Sequence, residues 1–160
     1  MNTAVTRTLI LLGAFLVLTA VNYSIHGKEQ VIRTGEPIYL ELAPVDPRSL
    51  MQGDYMALRF RLAESIESSL SGVPSGASQR APIVLDDHGV ATLAANGAKG
   101  DLFIRYRIRN GRVWLGTNAY FFEEGAASRF ADARFGEFRV DRASGEAVLV
   151  ALRDGEMKAL

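Results

Sequence analysis

The sequence contains no cysteine, and this absence excludes three kinds of chemistry. Without thiols the chain forms no disulfide, binds no metal through thiolates and uses no cysteine nucleophile. Histidine is scarce as well, and His26 and His88 are too isolated for a histidine-rich metal site. The formal net charge is zero, because 18 basic residues balance 18 acidic ones. The composition therefore gives no indication of a nucleic-acid-binding surface. We therefore expect no metal, no cofactor and no nucleic-acid partner.

An apolar run without any charged side chain lies near the start of the chain, at residues 8–25. As an α-helix it would be about 27 Å long, close to the hydrocarbon thickness of a bilayer. We therefore expect residues 1–27 to hold an N-terminal transmembrane anchor and residues 28–160 to form one domain. The domain is long enough to bury a hydrophobic core without disulfides.

The charges on either side of this run predict its orientation. Arg7 and the terminal amine precede it, whereas Lys28 and Glu29 cancel each other after it. The positive-inside bias places the N-terminus in the cytoplasm and the domain in the periplasm or outside the cell, after a single pass through the inner (cytoplasmic) membrane. A cleaved signal peptide is the alternative, but Leu18 occupies a position where cleavage after Ala20 requires a small residue.

The domain shows the alternation of apolar and polar side chains that is typical of strands. Asn110-Gly111 is a strong hairpin signal, and Asp87-His88-Gly89 marks a second hairpin turn. The polar segment 27–36 predicts a connector, while residues 63–70 and those from Ala126 onward favour short helices. The expected fold class is mainly β, an antiparallel sandwich or small barrel-like domain with one or two short helices. The strands are predicted at residues 37–43, 54–62, 81–86, 90–94, 101–108, 112–122, 135–141 and 147–152.

A proline-rich turn precedes the second of these strands. Pro44 and Pro47 fix φ and exclude a helix. Asp54 lies at the end of an apolar strand face, where a carboxylate needs hydrogen bonds or a cation. In one interpretation Arg48 and the N–H groups of the turn bind Asp54, which is then structural. In the other, Asp46 and Asp54 converge and act as a metal-binding or catalytic pair.

The order Gly53-Asp54-Tyr55-x-x-Leu58-x-Phe60 resembles the motif that names the GDYXXLXY family of bacterial membrane-anchored proteins. Phe60 stands where the family name has tyrosine, which leaves a packing role for the ring but no phenolic hydroxyl. The segments 44–48, 122–125 and 136–141 are also typical of this family. The resemblance implies a multi-pass membrane protein as partner and no particular reaction. The motif residues, for which we expect a structural role, are Pro44, Asp46, Pro47, Arg48, Gly53, Asp54, Tyr55, Leu58, Phe60, Glu124 and Gly125.

Two pairs of arginines lie on strand faces. Arg59 and Arg61 share the face of Tyr55, and Arg105 and Arg107 share another. If these strands are neighbours, the arginines form a stripe that could receive an anionic lipid headgroup or an acidic loop of a partner. Otherwise they form a solvated outer face that is paired with glutamates.

Two functions remain open from the sequence. The first is a non-enzymatic accessory or interaction subunit of a multi-pass membrane protein, anchored in the lipid bilayer through residues 8–25. The alternative is a ligand-binding, metal-binding or hydrolytic domain with its site at the turn between Asp46 and Asp54. We assign no catalytic residue.

Overall fold

The computed structural model describes residues 3–43, 55–70, 78–95 and 98–160. Within these ranges a long helix precedes short strands and two short helices. The helices are α1 (Thr3–Thr34), α2 (Arg61–Ser69) and a 3-10 helix (Ala126–Phe130). The strands are β1 (Glu36–Glu41), β2 (Tyr55–Ala57), β3 (Ser78–Leu85), β4 (Ala91–Leu93), β5 (Leu102–Arg109), β6 (Arg112–Trp114), β7 (Ala119–Phe121), β8 (Phe135–Val140) and β9 (Ala147–Arg153).

The first helix is longer than the apolar run that predicts it. It extends to Thr34, so the expectation of a polar connector at residues 27–36 is wrong. Residues 3–36 contain no proline, and the N–H of Gly35 still donates to the carbonyl of Val31 at 2.8 Å. Val31 is buried, and the last turns of α1 pack on β8 and β9. The helix therefore enters the domain directly.

Antiparallel pairing builds three sheets, with the strand orders β1-β8-β9, β2-β7 and β4-β3-β5-β6. Asn110 and Gly111 have φ angles of 50° and 74°, as the predicted two-residue hairpin between β5 and β6 requires. The other predicted hairpin joins β3 to β4. There the Asp86 carboxylate accepts hydrogen bonds from the N–H groups of His88 and Val90, at 2.9 and 2.8 Å.

Two backbone contacts join the larger sheets into a half-barrel. Tyr39 of β1 forms a parallel bridge with Val90, and the N–H of Arg105 in β5 donates to the carbonyl of Gly145 at 2.6 Å. One hydrophobic core fills the space between the sheets. Its fully buried members are Ile38, Leu40, Ile66, Ile83, Ile104, Leu115, Phe138, Val140 and Leu152. The predicted fold class, an apolar N-terminal helix followed by a mainly β domain of antiparallel sheets, is confirmed.

Two predicted strands are shorter than the alternation suggests. The strand at 54–62 is wrong beyond Ala57, since β2 ends there and α2 begins at Arg61. The predicted strand at 112–122 is broken at Gly116, whose φ of 70° is unsuited to a strand. As a result β6 lies at the edge of one sheet and β7 pairs with β2 in another, so the prediction of a single strand at residues 112–122 is wrong.

Candidate functional site

Six residues of the sequence motif lie outside the described residues, and their roles stay predictions. They are Pro44, Asp46, Pro47, Arg48, Gly53 and Asp54. Tyr55 begins β2, and its half-exposed ring lies 5.8 Å from the ring of Phe121. The N–H of Leu58 donates to the carbonyl of Asn118 at 2.7 Å, while its side chain is buried. These two residues bind β2 and the chain after it to the β7 region.

Phe60 packs in the core without any need for a hydroxyl. Its ring is 3% exposed and meets Phe138 edge to face, with ring centroids 5.3 Å apart. Gly136 makes room for this contact, because a Cβ atom there would lie 3.0 Å from both rings. The phenylalanine at the last motif position is thus a core residue.

Glu124 and Gly125 lie in a turn on the surface. Gly125 has a φ of 82° and precedes the 3-10 helix, where its left-handed conformation favours glycine. Glu124 is exposed. Their placement fits a change of chain direction between β7 and the 3-10 helix.

The structure separates the two arginine pairs, because β2 and β5 belong to different sheets. Arg59 pairs with Glu64 and Glu67 at 3.5 and 3.9 Å. Arg61 pairs with Glu41 at 3.0 Å. These exposed ion pairs give each arginine that follows β2 a carboxylate partner, and they contribute little to stability.

Arg105 and Arg107 instead line a cleft between β5 and the end of α1. β5 buries its even-numbered side chains in the core, so Arg105, Arg107 and Arg109 all project from the opposite face. Lys28 reaches the same cleft from α1. The volume of the cleft is about 210 Å³, and we call it the basic cleft. Its lining residues are Lys28, Arg105, Arg107, Arg109, Trp114, Gly116, Glu146 and Ala147.

The basic cleft carries more positive than negative charge. Glu146 is its sole acidic lining residue among those described, and it forms an ion pair with Lys28. The guanidinium of Arg109 lies 5.1 Å from the ring centroid of Trp114, in a cation–π contact. In the part of the chain that the structure describes, no carboxylate lies in ion-pair range of Arg105, Arg107 or Arg109.

The β8–β9 turn holds one wall of the cleft in place. The Asp141 carboxylate accepts a hydrogen bond from the N–H of Ser144 at 2.6 Å. Hydrogen bonds from the side chain and the backbone of Ser144 lower the pKa of Asp141. Gly145, with a φ of 72°, then directs its carbonyl to the N–H of Arg105. The turn thereby fixes Glu146 beside the arginine strand.

Of the eight lining residues, only Arg105 and Arg107 are site candidates from the sequence. The charged and aromatic residues that were not candidates are Lys28, Arg109, Trp114 and Glu146. The spacing of Arg105, Arg107 and Arg109 at every second residue is a readable signal for Arg109, because alternate residues of a strand share a face. Lys28 and Glu146 are far apart in sequence, and only the packing of α1 on the domain brings them together.

Within the described ranges, no group of three or more histidine, aspartate or glutamate side chains is placed to hold a metal ion. The arginine and lysine side chains of the basic cleft are suited to bind an anion.

Comparison with family models matches residues 17–152 to the model described as "GDYXXLXY protein". No curated protein and no solved structure matches the chain. Because the matched region covers most of the sequence, from within α1 to β9, the chain belongs to the GDYXXLXY family.

Proposed function

We propose that this protein is a non-enzymatic accessory or interaction subunit of a multi-pass membrane protein. In this proposal α1 crosses the inner membrane once as an uncleaved anchor, with the N-terminus in the cytoplasm. The domain then lies in the periplasm or outside the cell.

The observation that carries this proposal is the surface of α1. The helix is apolar enough to span a membrane, and the most apolar stretch of it has no residue buried by the rest of the protein. Leu11 and Phe15, for example, are 71% and 66% exposed. Such a surface is costly in water and favourable in lipid.

An exposed aromatic pair on the domain supports the interaction role. Phe121 is 75% exposed and lies beside Tyr55 on the two-stranded sheet β2-β7. Aromatic side chains are enriched in protein interfaces. This pair is a surface on which a partner protein would bury apolar area.

Affinity purification from membranes solubilised in mild detergent tests the partner. We expect the wild-type chain to retain a multi-pass membrane protein and the Phe121→Ser variant to retain less of it. Val84→Ser is the matched control, since Val84 is also exposed but lies in another sheet. Recovery of the chain alone in every mild detergent would contradict the proposal.

The absence of cysteine makes the orientation testable with single introduced thiols. We expect Ala143→Cys, in the exposed β8–β9 turn, to react with a membrane-impermeant maleimide applied to spheroplasts. Thr3→Cys, at the start of α1, should react only after the membrane is permeabilised. The reverse pattern would overturn the proposed orientation, and a shortened mature chain would show cleavage.

A further inference from the structure

The basic cleft lies close to the end of the apolar run of α1. Lys28 follows Ile25 by three residues, a rise of about 4.5 Å along a helix. The headgroup layer on each side of a bilayer is about 5–7 Å thick. If residues 8–25 span the hydrocarbon, Lys28 lies at headgroup depth. Because α1 continues into the domain and packs on it, the cleft is held at that depth too.

The positive charges around the cleft repel one another, and this repulsion destabilises the folded state. Arg105, Arg107 and Arg109 follow one another on a single face of β5, and Arg80 of β3 stands directly opposite Arg105. Like charges that face each other across strands destabilise a sheet. Electrostatic attraction between Asp141 and Arg105 offsets part of this repulsion, and a bound anion would offset more of it.

The shape and composition of the cleft match a phosphate-bearing headgroup. Arginine binds phosphate oxygens through two parallel hydrogen bonds, and three arginines line this cleft. The volume of about 210 Å³ is smaller than the usual range of pockets for large organic ligands. Trp114 adds an indole ring, a side chain that is enriched at membrane interfaces.

We propose that the basic cleft binds the phosphate of an anionic phospholipid in the leaflet next to the domain. Arg105, Arg107 and Arg109 bind the phosphate, Lys28 adds charge from α1, and Trp114 covers one side. This inference rests on the proposed membrane anchoring. Lipid is favoured over a soluble anion because an anchored cleft at headgroup depth meets headgroups at a high effective concentration.

Trp114 is the only tryptophan of the chain and lies in the cleft, so its fluorescence reports on this site. The test uses the full chain in neutral detergent micelles, titrated with phosphatidylglycerol or with phosphatidylcholine. We expect a saturable change of the Trp114 emission with phosphatidylglycerol and none with phosphatidylcholine. Arg107→Gln should weaken binding by about five-fold, the contribution of one arginine near an anionic membrane surface.

Arg59→Gln is the matched control, because it removes the same charge from an arginine that is paired with glutamates elsewhere. It should bind phosphatidylglycerol as the wild type does. The triple variant Arg105→Gln/Arg107→Gln/Arg109→Gln should lose the response, and Arg107→Gln alone keeps the test valid if the triple variant does not fold. Circular dichroism checks the folding of each variant.

Four outcomes would overturn the inference. The first is no response of the Trp114 emission to phosphatidylglycerol, and the second is an equal loss of phosphatidylglycerol binding in Arg59→Gln and Arg107→Gln. The third is an equal response to inorganic phosphate at the same concentration. The fourth is an acidic protein that binds through these arginines while the chain shows no response to lipid. Alkaline carbonate extraction of membranes distinguishes a failure of the proposed lipid site from a failure of the proposed membrane anchoring. A chain that resists extraction but does not respond to lipid disproves the cleft site alone, whereas a chain that is extracted disproves the anchoring.

Discussion

Lys28 of α1 and Glu146, which directly precedes β9, form an ion pair across the junction between the long helix and the β domain. Their side chains are 53% and 29% exposed. A pair this exposed contributes less than about 1 kcal/mol to stability. The main effect of the ion pair is on the positions of charges. It holds the lysine of α1 at the basic cleft and places one negative charge among the arginines.

Replacing Glu146 by glutamine should therefore separate stability from ligand binding. We expect Glu146→Gln to change the midpoint of thermal unfolding by less than about 4 °C, because the ion pair is exposed. We also expect tighter binding of phosphatidylglycerol, since the cleft loses its negative charge. Trp114 fluorescence and circular dichroism measure the two effects. Glu156→Gln is the control, since Glu156 pairs with Lys158 on the surface, and equal lipid binding in both variants would contradict the prediction.

Glu137 is a buried carboxylate with a structural role. Its oxygen Oε2 accepts a hydrogen bond from Nε of Arg153 at 2.8 Å and lies 2.6 Å from a second nitrogen of that guanidinium. Arg139 lies 3.5 Å from the other carboxylate oxygen. The guanidinium of Arg153 also donates to the carbonyl of Met157 at 2.7 Å and lies over the ring of Tyr39. This network links β1, β8 and β9 to the C-terminal segment.

Breaking the network should be costly, because removing the buried Glu137 carboxylate leaves the partly buried guanidinium of Arg153 without its anionic partner. We expect Glu137→Gln to lower the free energy of unfolding by about 2–4 kcal/mol, measured by urea denaturation of the full chain in detergent. The double variant Glu137→Gln/Arg153→Met should lose less than the sum of the two single variants. Strict additivity would show that the two side chains do not act together.

The alternation of the sequence was enough to predict the hairpins and most strands. The Asn110-Gly111 turn has the backbone angles that its residues favour, and Ile38 and Leu40 point into the core as their spacing predicts. The predictions failed where an alternating pattern continued past a break in the backbone. Arg61 and Leu62 still fit a strand, yet they begin α2, whose buried face holds Leu62 and Ile66.

The basic cleft depends on contacts between distant parts of the chain, which no local pattern encodes. The sequence indicates Arg105 and Arg107 as candidates for binding an anionic partner, but it also suggests one stripe that includes Arg59 and Arg61. The sheet order separates the groups, because β5 pairs with β3 and β6 while β2 pairs with β7. Strand order depends on which surfaces pack best together, and alternation does not determine it.

Gly136 is required by the packing of aromatic rings around it. A Cβ atom at this position would lie 3.0 Å from Phe60 and Phe138 and 3.1 Å from Leu149. We expect Gly136→Ala to destabilise the domain by about 1–3 kcal/mol, because a well-packed core accommodates an added methyl group only with strain. Thermal unfolding measures the loss. Gly27→Ala is the control, since nothing lies within 4 Å of its added Cβ and alanine favours a helix, and equal losses in both variants would contradict the prediction.

Asp141 gives the β8–β9 turn a dependence on pH. Hydrogen bonds from the side chain and backbone of Ser144 lower the pKa of Asp141 below its ordinary value of 3.8. A lowered pKa means that the carboxylate stabilises the folded chain above this value, and that the contribution is lost as the pH falls through the folded pKa.

Asp141→Asn should therefore be less stable than the wild type at neutral pH, by less than about 1 kcal/mol because the group is partly exposed. The difference should shrink as the pH falls below 3.8 and then through the lowered pKa of the folded chain, where the wild-type carboxyl becomes protonated. Urea denaturation across this range measures it. Asp87→Asn, in the β3–β4 hairpin turn, is the control, and a stability difference for Asp141→Asn that stays constant with pH would contradict the assignment.

Asp54 distinguishes the two interpretations of the proline-rich turn, which lies outside the described residues. If its carboxylate is structural, Asp54→Asn lowers stability by more than about 1 kcal/mol, since hydrogen bonds to a charged acceptor are lost. If Asp46 and Asp54 bind Ca²⁺ instead, the ion raises the unfolding midpoint of the wild type, and both Asp46→Asn and Asp54→Asn abolish that rise. We expect the first result, with the same unfolding midpoint in Ca²⁺ and in chelator. A midpoint that rises with Ca²⁺ in the wild type alone would make the turn a metal site.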